Sequence, residues 1–264
     1  MFKQRLIMAL ILIPLVLGGI YYLPSIYFSV VVFAILGLML YEWQQFIDLP
    51  EIENPILKFC VLFIGVLLSM KFWTLFIYLD ILFWGAITLW IIAYPKYQDF
   101  WGQSSLMTIN CWILLGVFAA LVIELQMDDY GKNELVAVML LVWAADTGAY
   151  FVGRRWGQHK MIPLVSPGKS WEGLFGGVSL ALIVGGIETL WMNPFSQGQW
   201  FAVVFISVLI SVIGDLWMSA LKRRSHLKDT GHLIPGHGGI LDRLDSLIAA
   251  LPVFYFLLNI LKLS

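Results

Sequence analysis

Nine stretches of this 264-residue chain stay apolar for about the length a helix needs to cross a bilayer. That length is about 20 residues at a rise of about 1.5 Å each. They run over 6–23, 26–43, 56–70, 73–94, 106–125, 134–152, 174–192, 200–220 and 246–262, the third being the shortest. Short turns at Leu23-Pro24-Ser25 and at Lys71 separate the first four. No ten-residue alternation of a β-barrel appears, so the backbone must satisfy its own polar groups helically. The expected fold is therefore all-α, a polytopic membrane helix bundle of about nine transmembrane helices. Composition agrees: 60% of residues are hydrophobic and 12% charged, against about 25% charged in a soluble domain. This excludes an ordinary soluble enzyme, a disordered chain and a disulfide-stapled secreted domain. Cys60 and Cys111 sit in apolar runs without a CxxC spacing and are expected to be buried filler.

Lys3 and Arg5 precede the first stretch, as in a secretory signal, but no small-residue cleavage site follows it. A retained first membrane helix is the expectation. With the N-terminus in the cytoplasm, thirteen of the sixteen Lys and Arg residues fall inside, leaving Lys71, Lys132 and Lys262 outside. That bias predicts N-in, C-out. It divides the chain into an N-terminal transmembrane bundle over 1–130 and a catalytic transmembrane region over 131–264. The latter carries two long polar loops, 153–173 and 221–245, both expected on the cytoplasmic face.

A carboxylate inside a span costs several kcal/mol (~3 at the centre of a helix) unless paired, solvated or metal-bound. Glu42, Glu124 and Glu188 lie near span ends, where interfacial water is expected to serve them. Asp80 lies deeper and takes no assigned role. Asp146 and Asp215 each sit toward the cytoplasmic end of a span that leads into one polar loop. Asp215, Ser219 and Lys222 are spaced by four and three, so they share one helix face.

The segment 219–246 suits a phosphate-rich, metal-dependent reaction. Lys222, Arg223, Lys228 and Arg243 can neutralise phosphate oxygens. Gly236, Gly238 and Gly239 allow backbone N–H groups to point at an anion. Asp242 and Asp245 open the last span with hard oxygens suited to Mg²⁺. His226, His232 and His237 lack the partners of a zinc site. His237 better suits a hydrogen bond to phosphate or the orienting of a carboxylate. In the other loop, Ser166-Pro167-Gly168-Lys169-Ser170-Trp171-Glu172-Gly173 fails the P-loop spacing because residue 163 is Pro. Lys169 and Ser170 still form a phosphate cradle at a helix start, and Glu172 can cap that helix.

The run Ser219-x-Leu221-Lys222-Arg223, Lys228-Asp229-x-Gly231, Ile234-Pro235-x-His237-Gly238-Gly239-Ile240-x-Asp242-Arg243-Leu244-Asp245 resembles the full signature of the phosphatidate cytidylyltransferases, or CDP-diacylglycerol synthases. The 166–173 loop and Asp146-Thr147-Gly148-Ala149-Tyr150 resemble the family too, with Ser170 in place of the usual Thr. The resemblance is specific over about 140–246; the first 130 residues match only as a hydrophobic bundle. It implies a membrane enzyme that joins CTP and phosphatidate into CDP-diacylglycerol and pyrophosphate in phospholipid biosynthesis. It also implies a homodimer, and Mg²⁺, as two metals or together with K⁺, on Asp215 and Asp242.

On this reading Asp215, Asp242, Asp245, Lys222 and Arg243 are catalytic. Ser219, Arg223, Lys228, His237, Gly238, Gly239, Lys169, Ser170 and Asp146 bind substrate. The nucleophile is an ionised lipid phosphate, so catalysis consists of bringing two polyanions together rather than removing a proton. The expected location is a bacterial inner membrane with the site facing the cytoplasm. The alternatives are a CTP-dependent polyprenol or phytol kinase, and a cation transporter using Asp80, Asp146 and Asp215. No nucleic-acid role is indicated, because the basic residues flank membrane spans.

Overall fold

The computed structural model describes residues 2–48, 52, 54–192, 196–231 and 238–262, with side chains from residue 11 onward except at 262. Ten α-helices are found among them. They are α1 (Phe2–Tyr22), α2 (Ser25–Trp43), α3 (Pro55–Lys71), α4 (Trp73–Ile92), the four-residue α5 (Gln98–Trp101), α6 (Ser104–Met127), α7 (Asp129–Trp156), α8 (Trp171–Met192), α9 (Gln197–Arg224) and α10 (Leu241–Lys262). No strand is present among the described residues; Lys160 and Ser170 form an isolated bridge.

Each of the nine apolar stretches lies on a helix, and among the described residues seven helices are long and apolar enough to cross a membrane. Those seven are α2, α4, α6, α7, α8, α9 and α10. The third stretch is the 17-residue α3, and α1 contributes the shorter apolar segment Ile11–Tyr22.

Helix ends follow local chemistry. Pro55 starts α3 at a position where its missing N–H costs nothing, and the Asn54 side chain accepts from the Ile56 N–H. The Asp128 carboxylate caps α7 by accepting from the Gly131 N–H, 3.0 Å away. The Ser170 hydroxyl accepts from the Gly173 N–H at 3.1 Å and caps α8. Ser170 thus does the capping expected of Glu172. The Glu172 carboxylate turns instead to His159, accepting from its backbone N–H and lying 2.6 Å from its ring Nδ1.

At the centre stands α6, the most enclosed helix, packed against α2, α3, α4, α7 and α10. The closest pairs are α7 with α8 and α9 with α10. Small residues permit both. A Cβ on Gly148 would meet the Gly176 carbonyl oxygen at 2.5 Å, and one on Gly177 would meet that of Ala145 at 2.6 Å.

Three expectations are corrected here. Cys60 is exposed on α3 and only Cys111 is buried. In a membrane bundle an apolar run turns one side to lipid, so hydrophobic surroundings in sequence do not imply burial in protein. Glu42 and Glu188 do not lie in interfacial water: they are 3% and 0% exposed. Glu188, like Asp80, has both carboxylate oxygens buried without a hydrogen-bond partner.

Candidate active site

The two polar loops meet at one end of the bundle. The first runs between α7 and α8 and is closed by backbone bonds: Trp171 N–H donates to His159 O at 2.9 Å, and Met161 N–H to Lys169 O at 3.2 Å. This closure sends Lys169 across to α9. Its ammonium lies 2.7 Å from Asp215 Oδ2 and donates to the Val212 carbonyl at 3.3 Å. Arg223, near the end of α9, returns the contact by donating from Nε to the Val165 carbonyl at 3.2 Å.

Along α9 the expected polar face forms. The Ser219 hydroxyl donates to Asp215 Oδ1 at 3.4 Å. Lys222 lies two turns beyond Asp215, about 10 Å along the axis. It pairs with Asp242 rather than Asp215, with Nζ 2.6 Å from Asp242 Oδ1. The other oxygen, Oδ2, accepts from the Thr230 N–H at 2.8 Å, the Thr230 hydroxyl at 2.9 Å and the Gly239 N–H at 3.1 Å. Removing one partner of so buried a pair costs about 3–5 kcal/mol, because the remaining charge is stranded.

Gly238 adopts φ +79°, a left-handed backbone that a side chain would strain, and a Cβ there would lie 2.8 Å from Asp242 Oδ2. At Gly239 a Cβ would collide with Thr230 and Glu42. Both glycines thus let the backbone close on a carboxylate of the protein itself.

Asp146, on α7, and Asp245, on α10, both lie within electrostatic reach of Asp215 and Lys169, and Arg243 lies within reach of Asp146. Three aspartates therefore share one lysine. Asp146 and Arg243 are exposed, whereas Asp245 is buried and accepts from the Ser246 N–H at 2.7 Å. Lys228 is exposed and joins none of these contacts. His237, with His232 and Gly236, lies outside the described residues.

The sequence reading missed Glu42 as a member of this site. It comes from the end of α2, and its carboxylate takes the Ile240 N–H at 2.9 Å and the Leu241 N–H at 2.9 Å, and shares the single proton of the Thr230 hydroxyl, 3.0 Å away, with Asp242. The first two are among the orphan donors at the start of α10. Gln45 fastens the same loop, donating to the carbonyls of Glu42 and Thr230 at 2.7 and 2.6 Å. Support from Glu42 also explains why α10 starts at Leu241, five residues earlier than the apolar pattern alone suggests. The available signal was an acid inside an apolar span, which marks a functional position more often than a solvated one.

The donor set suits a hard cation that arrives with its own ligands. Among the described residues no three His, Cys, Asp or Glu side chains converge into a cage. Asp215 keeps about a third of its side chain exposed (35%), and Asp146 and Asp245 bring further carboxyl oxygens near it. Mg²⁺ is commonly held this way, by one or two carboxylates plus substrate phosphates.

Residues 3–261 match the model of the Cytidylyltransferase family. The chain belongs to that family. The match reaches well beyond residues 140–246, so the N-terminal helices belong to the family as well and are more than a generic bundle. Similar proteins include the phosphatidate cytidylyltransferase of Haemophilus influenzae, 39% identical over 285 aligned residues that cover 97% of this chain and 98% of that protein. That of Pseudomonas aeruginosa is 36% identical over 264, covering 98% and 97%. That of Bacillus subtilis is 40% identical over 151, or 55% of each chain. This family member is thus a membrane enzyme, and Glu42, which joins the candidate site, comes from the N-terminal part.

Proposed function

We propose that this enzyme is a phosphatidate cytidylyltransferase acting at the end of the bundle where Lys169–Asp215 and Lys222–Asp242 lie. The single observation that carries the reading is that pair of ammonium–carboxylate contacts, about 10 Å apart on α9, with Arg223 and Arg243 nearby. A phosphatidate oxygen attacks the α-phosphorus of CTP, forming one P–O bond. The bond from that phosphorus to the bridging oxygen breaks, and pyrophosphate leaves. The attacking oxygen is already ionised, so no general base is required. The protein's task is to hold two polyanions close and in line.

Lys169 and Lys222 are each paired with an aspartate. A polyphosphate offers both lysines stronger partners, and each lysine that moves to phosphate frees a carboxylate oxygen. Asp215 and Asp242 would then hold Mg²⁺, as two metals or together with K⁺, and Asp245 and Ser219 would support Asp215. When bound, the metal supplies positive charge for the phosphates that meet and for the pyrophosphate that leaves. Arg223, Arg243, Lys228, Ser170, Asp146 and the segment His237-Gly238-Gly239 complete the binding of nucleotide and lipid head. We further propose a homodimer in a bacterial inner membrane, N-in and C-out, with this site facing the cytoplasm and its nucleotide supply.

The test is purified protein with CTP and phosphatidate, with and without Mg²⁺, following both products. CDP-diacylglycerol and pyrophosphate should appear in equal amounts and only with Mg²⁺. Release of CDP with a phosphorylated lipid alcohol would support the kinase reading instead. Near wild-type turnover in Asp242→Ala would overturn the metal assignment, since losing that charge should cost about 10²–10³ in rate.

A further inference from the structure

The outer seam between α7 and α8 carries a second feature, which Lys169 and the aspartates do not use. Two hollows of about 740 and 650 Å³ adjoin there, sharing Glu172 and Phe175, and so form one trough. Its chemistry changes along its length. The lower part has a floor of Gly148, Gly176 and Ser179 and apolar walls from Phe151, Leu180 and Ile183. The small floor residues let the two helices touch and leave a slot above the contact. The upper part is bordered by His159, Lys160 and Trp171. Trp156 also lines the lower part, and the Arg155 guanidinium stacks over its ring at 5.4 Å. Arg154, one residue earlier, donates to the Tyr150 hydroxyl at 2.9 Å.

Charge at the upper rim is one-sided. Glu172 is its acid, and that carboxylate is occupied by His159, ring and backbone. Lys160 lines the hollow and Arg155, stacked on Trp156, lies beside it; both are exposed, and among the described residues neither has a carboxylate partner. Trp156 and Trp171, about half exposed, mark this level as the headgroup zone, where indoles collect. An apolar slot beneath a cationic, indole-flanked rim matches a molecule with an acyl chain at one end and an anionic phosphate at the other. Polyphosphate in water would have no use for the slot. A neutral lipid would have no use for the rim.

We propose that the α7–α8 seam binds one anionic phospholipid of the bilayer as a resident, non-reacting ligand. Its chain lies over Gly148, Gly176 and Ser179, and its phosphate lies on Lys160 and Arg155. It is distinct from the reacting lipid, because none of Asp215, Lys222 or Asp242 lines the trough. The seam behind it is shut by the Gly148–Gly176 and Gly177–Ala145 contacts, so no headgroup passes through. Its consequence is mechanical. The loop it rests on bonds Lys160 to Ser170 and Met161 to Lys169, so a phosphate held at Lys160 steadies the segment that aims Lys169 at Asp215.

The test uses the whole protein in phosphatidylcholine nanodiscs carrying a trace of phosphatidylglycerol with a photoreactive acyl chain. That phosphate is a diester and cannot attack CTP, so the result is independent of the proposed reaction. Labelling should map to α7 and α8 peptides and fall when unlabelled phosphatidylglycerol competes. Ser179→Phe, which fills the slot, and Lys160→Glu, which reverses the rim, should each reduce it about tenfold, the factor given by ~1.4 kcal/mol. Val30→Phe, on a lipid-facing part of α2, should leave it unchanged. Even labelling of all helices, equal labelling by a phosphatidylcholine probe, or competition-insensitive labelling in the unmutated protein would each overturn the proposal. So would cross-linking of two copies through this seam with loss of lipid. The competition experiment needs no variant and stands even if one fails to fold.

Discussion

Glu42 and Asp242 divide the work of holding the loop between α9 and α10, and Thr230 joins them. The Thr230 hydroxyl lies between the two carboxylates, 3.0 Å from Glu42 Oε2 and 2.9 Å from Asp242 Oδ2. Thr230→Val keeps the shape and deletes that link, which should cost about 1–2 kcal/mol of stability, read as a lowered Tm in detergent. Glu42→Ala strands the Ile240 and Leu241 N–H groups at once and should cost about 3 kcal/mol. Turnover should fall with it, because the loop that positions Asp242 loses its anchor. Unchanged Tm in Glu42→Ala would show that water replaces the carboxylate. The Lys222–Asp242 pair can be isolated by a double-mutant cycle of Lys222→Met and Asp242→Asn. Contacting residues of this kind couple by about 0.5–3 kcal/mol, so the double variant should lose less stability than the two single losses added. Strict additivity would mean that the 2.6 Å contact contributes nothing of its own.

Between elements, the decisive contacts are backbone against backbone. Gly177→Leu forces a side chain into the Ala145 carbonyl and should part α7 from α8, at about 1–3 kcal/mol for overpacking. Gly37→Leu is the matched control on α2, where a Cβ meets nothing within 4 Å. Equal Tm values for the two would refute close packing of the seam. At this scale the sequence was legible where the signal was local. Apolar runs marked every long helix, and the spacing of Asp215, Ser219 and Lys222 placed all three on the working face of α9. The two polar loops stand out by composition alone. What stayed hidden depends on which distant segments meet. Glu42 lies 198 positions before Ile240, whose N–H it accepts, and no pattern near either residue announces the pairing. The same holds for Lys222, whose spacing pointed to Asp215 while packing delivered it to Asp242. Gly238 and Gly239 read as anion-binding glycines, and they do shape a cradle, but in this structure the anion is the carboxylate of Asp242.

For the whole molecule the open variable is how many helices cross, because each crossing reverses the side of everything that follows. Nine crossings and seven, the latter without α1 and α3, leave Ser225 on the same face when the N-terminus is inside. They also agree on Lys71. They disagree on Asp48, between α2 and α3, which is inside with nine crossings and outside with seven. Three single-cysteine proteins, Asp48→Cys, Lys71→Cys and Ser225→Cys, made in a Cys60→Ala, Cys111→Ala background, therefore separate the cases. A membrane-impermeant maleimide applied to spheroplasts should label Lys71→Cys and spare Asp48→Cys and Ser225→Cys until the membrane is opened. Labelling of Asp48→Cys from outside would remove α1 and α3 as spans while keeping the proposed catalytic end inside. Labelling of Ser225→Cys from outside would be fatal to the proposed sidedness, because it would strand the lysine–aspartate pairs on the face that CTP does not reach. The charge pattern argues against the last result and barely separates the other two. Nine crossings keep thirteen of the sixteen basic residues inside and seven keep twelve, Lys58 alone moving out, whereas turning the loops after α7 and α9 outward works against the bias that sets orientation during insertion.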